Sequence, residues 1–111
     1  MNYAGTVIPD EIDGHIKLAV ETLLSKFSSN IIKIILFGSF ATGKYQPDSD
    51  IDIAVVLSEL PDIYSWRDYT QAADIGGREL DLLFCTEEQL ASGEYVFGEI
   101  NKHGIVLYEQ L

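Results

Sequence analysis

The sequence is poor in basic residues, and this shortage excludes a class of partner. Seven Lys and Arg residues stand against 18 Asp and Glu, which gives a formal net charge of −11, and the basic residues form no cluster. Proteins that hold a nucleic-acid backbone usually present a basic face. Direct binding of nucleic acid is therefore disfavoured, except where a metal ion would mediate it.

Cysteine and long apolar runs are also scarce. Cys85 is the only cysteine, so no intramolecular disulfide can form, and its apolar surroundings predict a buried, inert thiol. No apolar run approaches the ~20 residues of a membrane span. The N-terminus lacks the basic and apolar regions of a signal peptide. We therefore expect a soluble, cytoplasmic protein with no membrane partner.

The 111 residues are enough for one small domain, here residues 1–111, and too few for a second substrate domain. The pattern predicts an α-β-(α)-β-α-β-α-β order, which indicates one α/β (α+β) domain. We expect a mixed sheet of about four strands with helices mainly on one side. The predicted strands are 31–37, 50–57, 79–85 and 105–108. Helices are predicted from Pro9-Asp10, from about Ile63, and from a capping box at Thr86 to His103, with a break at Ser92-Gly93.

Two short motifs flank the loop between the first two predicted strands. Gly38-Ser39 ends the first strand, and ten residues later Asp50-Ile51-Asp52 opens the second. In a strand, Asp50 and Asp52 point to the same face. Carboxylate oxygens hold Mg²⁺, and the metal neutralises nucleotide phosphates. Taken alone, the acidic motif could instead be a solvent-exposed turn followed by the start of a strand, with no metal bound.

Together with their spacing and flanking strands, these motifs resemble the nucleotidyltransferase superfamily. More narrowly, the chain resembles the minimal nucleotidyltransferases, a likeness that covers most of residues 31–108. The family pattern is Gly-Ser, about ten residues, Asp-x-Asp, and a third carboxylate on a later strand, where this chain has Asp81. The resemblance implies a nucleotidyltransferase-like fold.

The resemblance also implies a set of site residues. Asp50, Asp52 and Asp81 would be catalytic and would hold Mg²⁺ or Mn²⁺, with Asp81 completing a second metal site or acting as base. Gly38 and Ser39 would bind the phosphates of the substrate ATP. The family commonly carries Ala-Arg-Gly after Gly-Ser-x, whereas this chain has Ala41-Thr42-Gly43. Lys44, just beyond, would then be the phosphate-binding cation, as a point charge without the arginine fork; Arg78 is a further candidate.

The activity implied is transfer of a nucleoside monophosphate, from ATP, to an acceptor hydroxyl. Minimal nucleotidyltransferases are typically encoded beside helical HEPN-domain proteins as toxin–antitoxin pairs, and in that family the small protein is the antitoxin and can adenylylate a tyrosine of the toxin. The acceptor site would come from such a partner or from another copy in a homo-oligomer. Tyr64, Trp66 and Tyr69 are either core residues or part of a contact surface.

Two other functions stay open from the sequence. The chain could be a catalytically weak binding module that neutralises its partner by occlusion, an alternative that the missing arginine favours. It could also be a small-molecule nucleotidyltransferase, although no separate substrate domain fits in this length. The intact set of three carboxylates favours the enzyme.

Overall fold

The computed structural model describes residues 2–3, 6–7, 10–46, 49–59 and 80–110. Its core is a four-stranded sheet built from β3 (Ile31–Phe37), β4 (Ile51–Leu57), β5 (Leu80–Thr86) and β6 (Ile105–Glu109). The strand order is β5-β4-β3-β6. β3 pairs antiparallel with both β4 and β6, whereas β4 and β5 run parallel. This confirms the predicted mixed sheet of four strands.

One face of the sheet is covered by the long helix α1 (Asp10–Phe27). Its buried residues Ile12, Ile16, Ala19 and Leu23 recur at three- and four-residue intervals and are at most 2% exposed. That spacing aligns them along one side of the helix, which is the amphipathic pattern the sequence predicts. They pack against alternate residues of β3, β4 and β5 in the larger of two apolar clusters.

The opposite face is covered by two short helices, α3 (Glu87–Ser92) and α4 (Val96–His103). Leu90 of α3 and Ile100 of α4 pack there against Ile35, Val56 and Cys85. The described helices therefore lie on both faces, α1 on one and α3 and α4 on the other, whereas the sequence predicted helices mainly on one side. The sequence pattern could not assign these short helices to a face, because the face depends on how the chain turns after β5.

Local sequence signals set the ends of α3 as predicted. The Thr86 hydroxyl accepts a hydrogen bond from the Gln89 amide at 3.3 Å, and the Gln89 side chain accepts one from the Thr86 amide at 3.0 Å. This is the capping box read from the sequence. Gly93, with a φ of 67°, ends the helix in the left-handed region that glycine tolerates best.

A two-stranded hairpin, β1 (Asn2–Tyr3) and β2 (Thr6–Val7), precedes α1 and was not predicted. Cys85 is fully buried, and burial raises the pKa of its thiol to about 11, as expected for an inert cysteine. In the described ranges, no helix combines the length and apolarity needed to cross a membrane. The predicted helix from Ile63, the aromatic set Tyr64, Trp66 and Tyr69, and Arg78 lie outside the described residues.

Candidate active site

The chain turns sharply where β3 ends, at Gly38. This residue has a φ of 76° and a ψ of −153°, a conformation that is almost confined to glycine. The short helix α2 (Ser39–Thr42) follows directly. The amides of Ala41 and Thr42 donate to the Gly38 carbonyl at 3.1 and 3.2 Å, which fixes the turn and presents Ser39 at its start.

Gly38 also makes room for a carboxylate. A side-chain carbon at position 38 would overlap Oδ2 of Asp52 and would lie 3.0 Å from its Cγ. The Asp52 carboxyl group therefore occupies the space that any other residue at position 38 would fill. From the sequence, the predicted role of Gly38 was to let the backbone approach a phosphate group closely. This close packing with Asp52 was missed, because the two residues meet only once β3 and β4 pair.

Asp52 and Asp81 lie side by side on neighbouring strands. They are register partners in the parallel pairing of β4 and β5, so their side chains extend from the same face of the sheet. Asp81 lies near enough to raise the pKa of Asp52 through its charge and by hydrogen bonding to the protonated carboxyl. Asp50 is exposed and lies one residue before β4. Neighbouring strands and a shared face are what a common site of Asp52 and Asp81 requires, while the chemical roles of the three acidic residues stay predictions.

The crowding of acidic groups changes the titration of Asp52. The pKa of this carboxyl is raised from 3.8 to about 6, most of all by its partial burial and then by the negative charges of Asp81 and Asp50. The hydrogen bond with Asp81 adds to the shift, since it favours the protonated form. The site thus concentrates negative charge at a point where one proton or one cation would relieve the repulsion.

This raised pKa predicts a pH dependence of stability. Because Asp52 binds its proton more tightly in the folded state, where its pKa is about 6, than in the unfolded chain, its contribution is most favourable below about pH 4. That contribution declines as the pH rises from about 4 to about 6. In metal-free buffer we expect Asp52→Asn to remove this decline and to raise the melting temperature at pH 7.

Thermal melting between pH 4 and pH 7.5 measures this effect. Glu94→Gln serves as the control, since Glu94 is an exposed carboxylate on the loop between α3 and α4. The control should follow the wild-type profile. If the melting temperatures of Asp52→Asn and wild type changed with pH in the same way, the loss of stability between about pH 4 and about pH 6 would not be due to Asp52.

The carboxylate oxygens of this cluster are suitable ligands for a divalent cation such as Mg²⁺, but they do not form a complete metal site. Among residues 10–46, 49–59 and 80–110, no three Asp, Glu, His or Cys side chains are arranged as a ready-made metal site. The fold brings two possible metal ligands together, Asp52 and Asp81. Asp50 lies near enough to raise the pKa of Asp52. Mg²⁺ is commonly bound through one or two carboxylates together with substrate phosphates, so a pair is sufficient for that mode of binding.

The predicted phosphate-binding residues lie next to each other on α2 and the loop that follows. The Lys44 amide donates to the Ser39 carbonyl at 3.0 Å, and the Lys44 side chain is exposed. Gly43 ends α2 in the left-handed region, with a φ of 83°, which turns the chain back toward Ser39. Gly38, Ser39 and Lys44 thus belong to one local unit beside the carboxylate pair, although no contact of the Lys44 ammonium group with the carboxylates is seen.

A Gly-Ser turn at the end of β3, with paired carboxylates on β4 and β5, is the arrangement that the resemblance to the nucleotidyltransferases implies. The comparison with protein families agrees: the model described as "Polymerase beta, Nucleotidyltransferase" matches residues 19–110. The chain belongs to this family, and the resemblance predicted from its motifs is confirmed.

Two curated relatives come from Methanocaldococcus jannaschii. The protein named "Putative protein adenylyltransferase MJ0604" is 56% identical over 41 residues, which are 37% of this chain and 41% of that protein. A second protein of the same name, MJ0141, is 29% identical over 73 residues, or 66% of this chain and 71% of that protein. The match to MJ0604 therefore spans less than half of that relative.

Two solved structures share the fold. A toxin-antitoxin crystal structure with AMP-PNP aligns with a TM-score of 0.64 and 25% identity, covering 85% of this chain and 73% of that chain. A tri-AMPylated Shewanella oneidensis HEPN toxin in complex with an MNT antitoxin gives a TM-score of 0.54 and 19% identity, covering 85% and 72%. The second likeness supports the fold alone.

Proposed function

We propose that this nucleotidyltransferase transfers the adenylyl group of ATP to a hydroxyl group of a protein, a tyrosine of a helical HEPN-type toxin encoded nearby, and thereby acts as its antitoxin. The observation that carries the proposal is the Asp52–Asp81 pair held against Gly38 beside Ser39. Curated relatives named as protein adenylyltransferases support the protein acceptor. A structural relative from a toxin–antitoxin complex supports the partner.

In the reaction, the acceptor oxygen attacks the α-phosphorus of ATP, the bond from that phosphorus to the bridging oxygen breaks, and pyrophosphate leaves. The Ser39 hydroxyl donates to a phosphate oxygen, and the Lys44 ammonium group offsets phosphate charge. Asp50, Asp52 and Asp81 would hold Mg²⁺ or Mn²⁺, which when bound neutralises the triphosphate and orients it. Asp81, which is exposed, would either complete a second metal site or accept the proton of the acceptor hydroxyl.

The charge of the chain supports a basic protein as the partner. At a net charge of −11, this chain attracts a basic surface and repels nucleic acid. The resemblance implies that the HEPN partner is a ribonuclease-like toxin, and such a toxin needs a basic surface to hold RNA. An acidic antitoxin would therefore cover that surface, and the rate of association would fall as salt screens the charges.

The test combines labelling with co-purification. The chain and the tagged product of the neighbouring gene are co-expressed, purified at several salt concentrations, and incubated with labelled ATP and Mg²⁺. We expect a complex that forms more slowly at high salt and a partner tyrosine that gains adenylyl groups by mass spectrometry. The Asp50→Asn, Asp52→Asn double variant should label it at least ~100-fold more slowly.

A second possible function is that of a binding module with little catalytic activity. One feature favours it, which is Thr42 at the position where the family commonly has an arginine. If wild type suppresses the toxin without labelling it, the chain acts as a binding module that occludes its partner. Undiminished labelling by the double variant would instead rule out chemistry at these carboxylates. A neighbour that does not bind even at low salt would remove the antitoxin role.

A further inference from the structure

Tyr95, on the loop between α3 and α4, combines an exposed side chain with a strained backbone. The residue keeps 93% of its surface open to solvent, so it takes no part in the core. Its φ of 53° and ψ of −131° lie in a region that is almost confined to glycine. Among the described residues, it is the only one other than glycine with a positive φ.

The place of Tyr95 at the start of α4 adds a second local cost. It occupies the capping position, where the side chain of Ser, Thr, Asn or Asp usually accepts a hydrogen bond from the first turn. The Tyr95 side chain makes no such bond, and the turn is closed by the backbone, where the Gly98 amide donates to the Tyr95 carbonyl at 3.1 Å. A small polar residue or a glycine would suit the fold better. Residues that break local rules in this way are concentrated at functional sites.

The surroundings of Tyr95 have the composition of a protein–protein contact. Val96, beside it, is 38% exposed, so an aromatic and an aliphatic side chain are adjacent at the surface. From Glu87 to Glu99 the chain carries four glutamates, all exposed, and no lysine or arginine. Aromatic residues surrounded by a polar rim are typical of the energetic centre of an interface. The acidic rim favours a partner with a basic surface.

This surface lies on the same side of the sheet as the candidate active site. Through Leu90 and Ile100, α3 and α4 pack on the sheet face that carries Val56. Asp52 lies four residues before Val56 on β4, so its carboxyl group extends from that same face. Its register partner Asp81 shares this face. A protein bound at the start of α4 is therefore on the side of the sheet where the carboxylates are presented.

We infer that Tyr95, Val96 and the glutamates around them form the docking surface for a basic protein partner, with the Tyr95 ring as its anchor. This inference rests on the proposed function, since it takes the helical toxin encoded nearby as that partner. It adds the side of the sheet on which the partner binds. The sequence analysis considered Tyr64, Trp66 and Tyr69 for a contact surface and did not single out Tyr95, because its exposure is set by the turn between the two helices.

The test measures the binding kinetics of the tagged product of the neighbouring gene to wild type and to three variants, Tyr95→Gly, Tyr95→Phe and Leu18→Ala. Leu18, which is 48% exposed on α1, is the control across the sheet. Tyr95→Gly should bind on the order of tenfold more weakly, mainly through faster dissociation. Tyr95→Phe keeps the ring, and both it and Leu18→Ala should bind as wild type does. Because glycine tolerates this φ and ψ, isolated Tyr95→Gly should melt at or above the wild-type temperature.

Two further measurements separate docking from charge and from chemistry. The Glu94→Gln, Glu99→Gln double variant should associate more slowly than wild type at low salt, and the difference should vanish at high salt. With labelled ATP and Mg²⁺, Tyr95→Gly should raise the KM for the partner and leave kcat unchanged, because the ring acts in docking and not on the reacting atoms.

Four results would overturn the inference. Wild-type affinity in Tyr95→Gly, or equal weakening by Leu18→Ala, would place the contact elsewhere and leave the proposed function intact. Equal weakening by Tyr95→Phe and Tyr95→Gly would show that the ring is not the anchor. A lowered melting temperature of Tyr95→Gly would mean that the residue supports the fold instead. A neighbour that does not bind wild type even at low salt would overturn the proposed partner and this inference together.

Discussion

Asp52→Asn is expected to abolish the stabilisation of the protein by Mg²⁺ and ATP. A ligand that binds only the folded state at about 100 times its dissociation constant adds about 2.7 kcal/mol to the free energy of unfolding. In a domain of this size, that corresponds to a rise in melting temperature on the order of 10 °C. The asparagine removes the negative charge that attracts the cation but keeps the shape of the side chain, so the fold should persist.

The measurement is thermal melting of wild type and Asp52→Asn with and without Mg²⁺ and ATP. Glu88→Gln is the control, because it also neutralises one carboxylate, but an exposed one on α3, away from Gly38 and Asp52. The control should show the full stabilisation. An equal shift in wild type and Asp52→Asn would falsify the assignment of Asp52 to the metal and nucleotide site.

Gly38→Ala should damage the site more than any other glycine replacement on this loop. An alanine at this φ and ψ is strained by on the order of 1–3 kcal/mol. In addition, the new methyl group would overlap the Asp52 carboxyl group, so Asp52 or the end of β3 must move. We expect a clear loss of thermal stability together with loss of stabilisation by Mg²⁺ and ATP.

Gly43→Ala separates these two effects. Gly43 also has a positive φ, 83°, but a side-chain carbon there would meet nothing within 4 Å. This variant should lose stability through backbone strain alone and should keep its response to Mg²⁺ and ATP. Similar ligand responses in the two variants would show that room for Asp52 is not what position 38 provides.

Local sequence signals predicted several elements with nearly the observed bounds. β3 was predicted at 31–37 and is found at Ile31–Phe37, because a run of apolar residues bounded by Asn30 and Gly38 is typical of a buried strand. The capping box at Thr86 and the interruption at Gly93 were predicted correctly for the same reason. Each of these features depends on residues only a few positions apart, so the chain encodes it locally.

The sequence by itself therefore determined the motifs and the order of the local elements, and its resemblance to a known family indicated the fold and the class of enzyme. The tertiary structure alone decided two further features: that α3 and α4 cover the face opposite α1, and that the Asp52 carboxyl group fills the space left by Gly38. The physical reason is the same in each case. These contacts join residues through strand register, loop closure and core packing, which no local periodicity of the chain specifies.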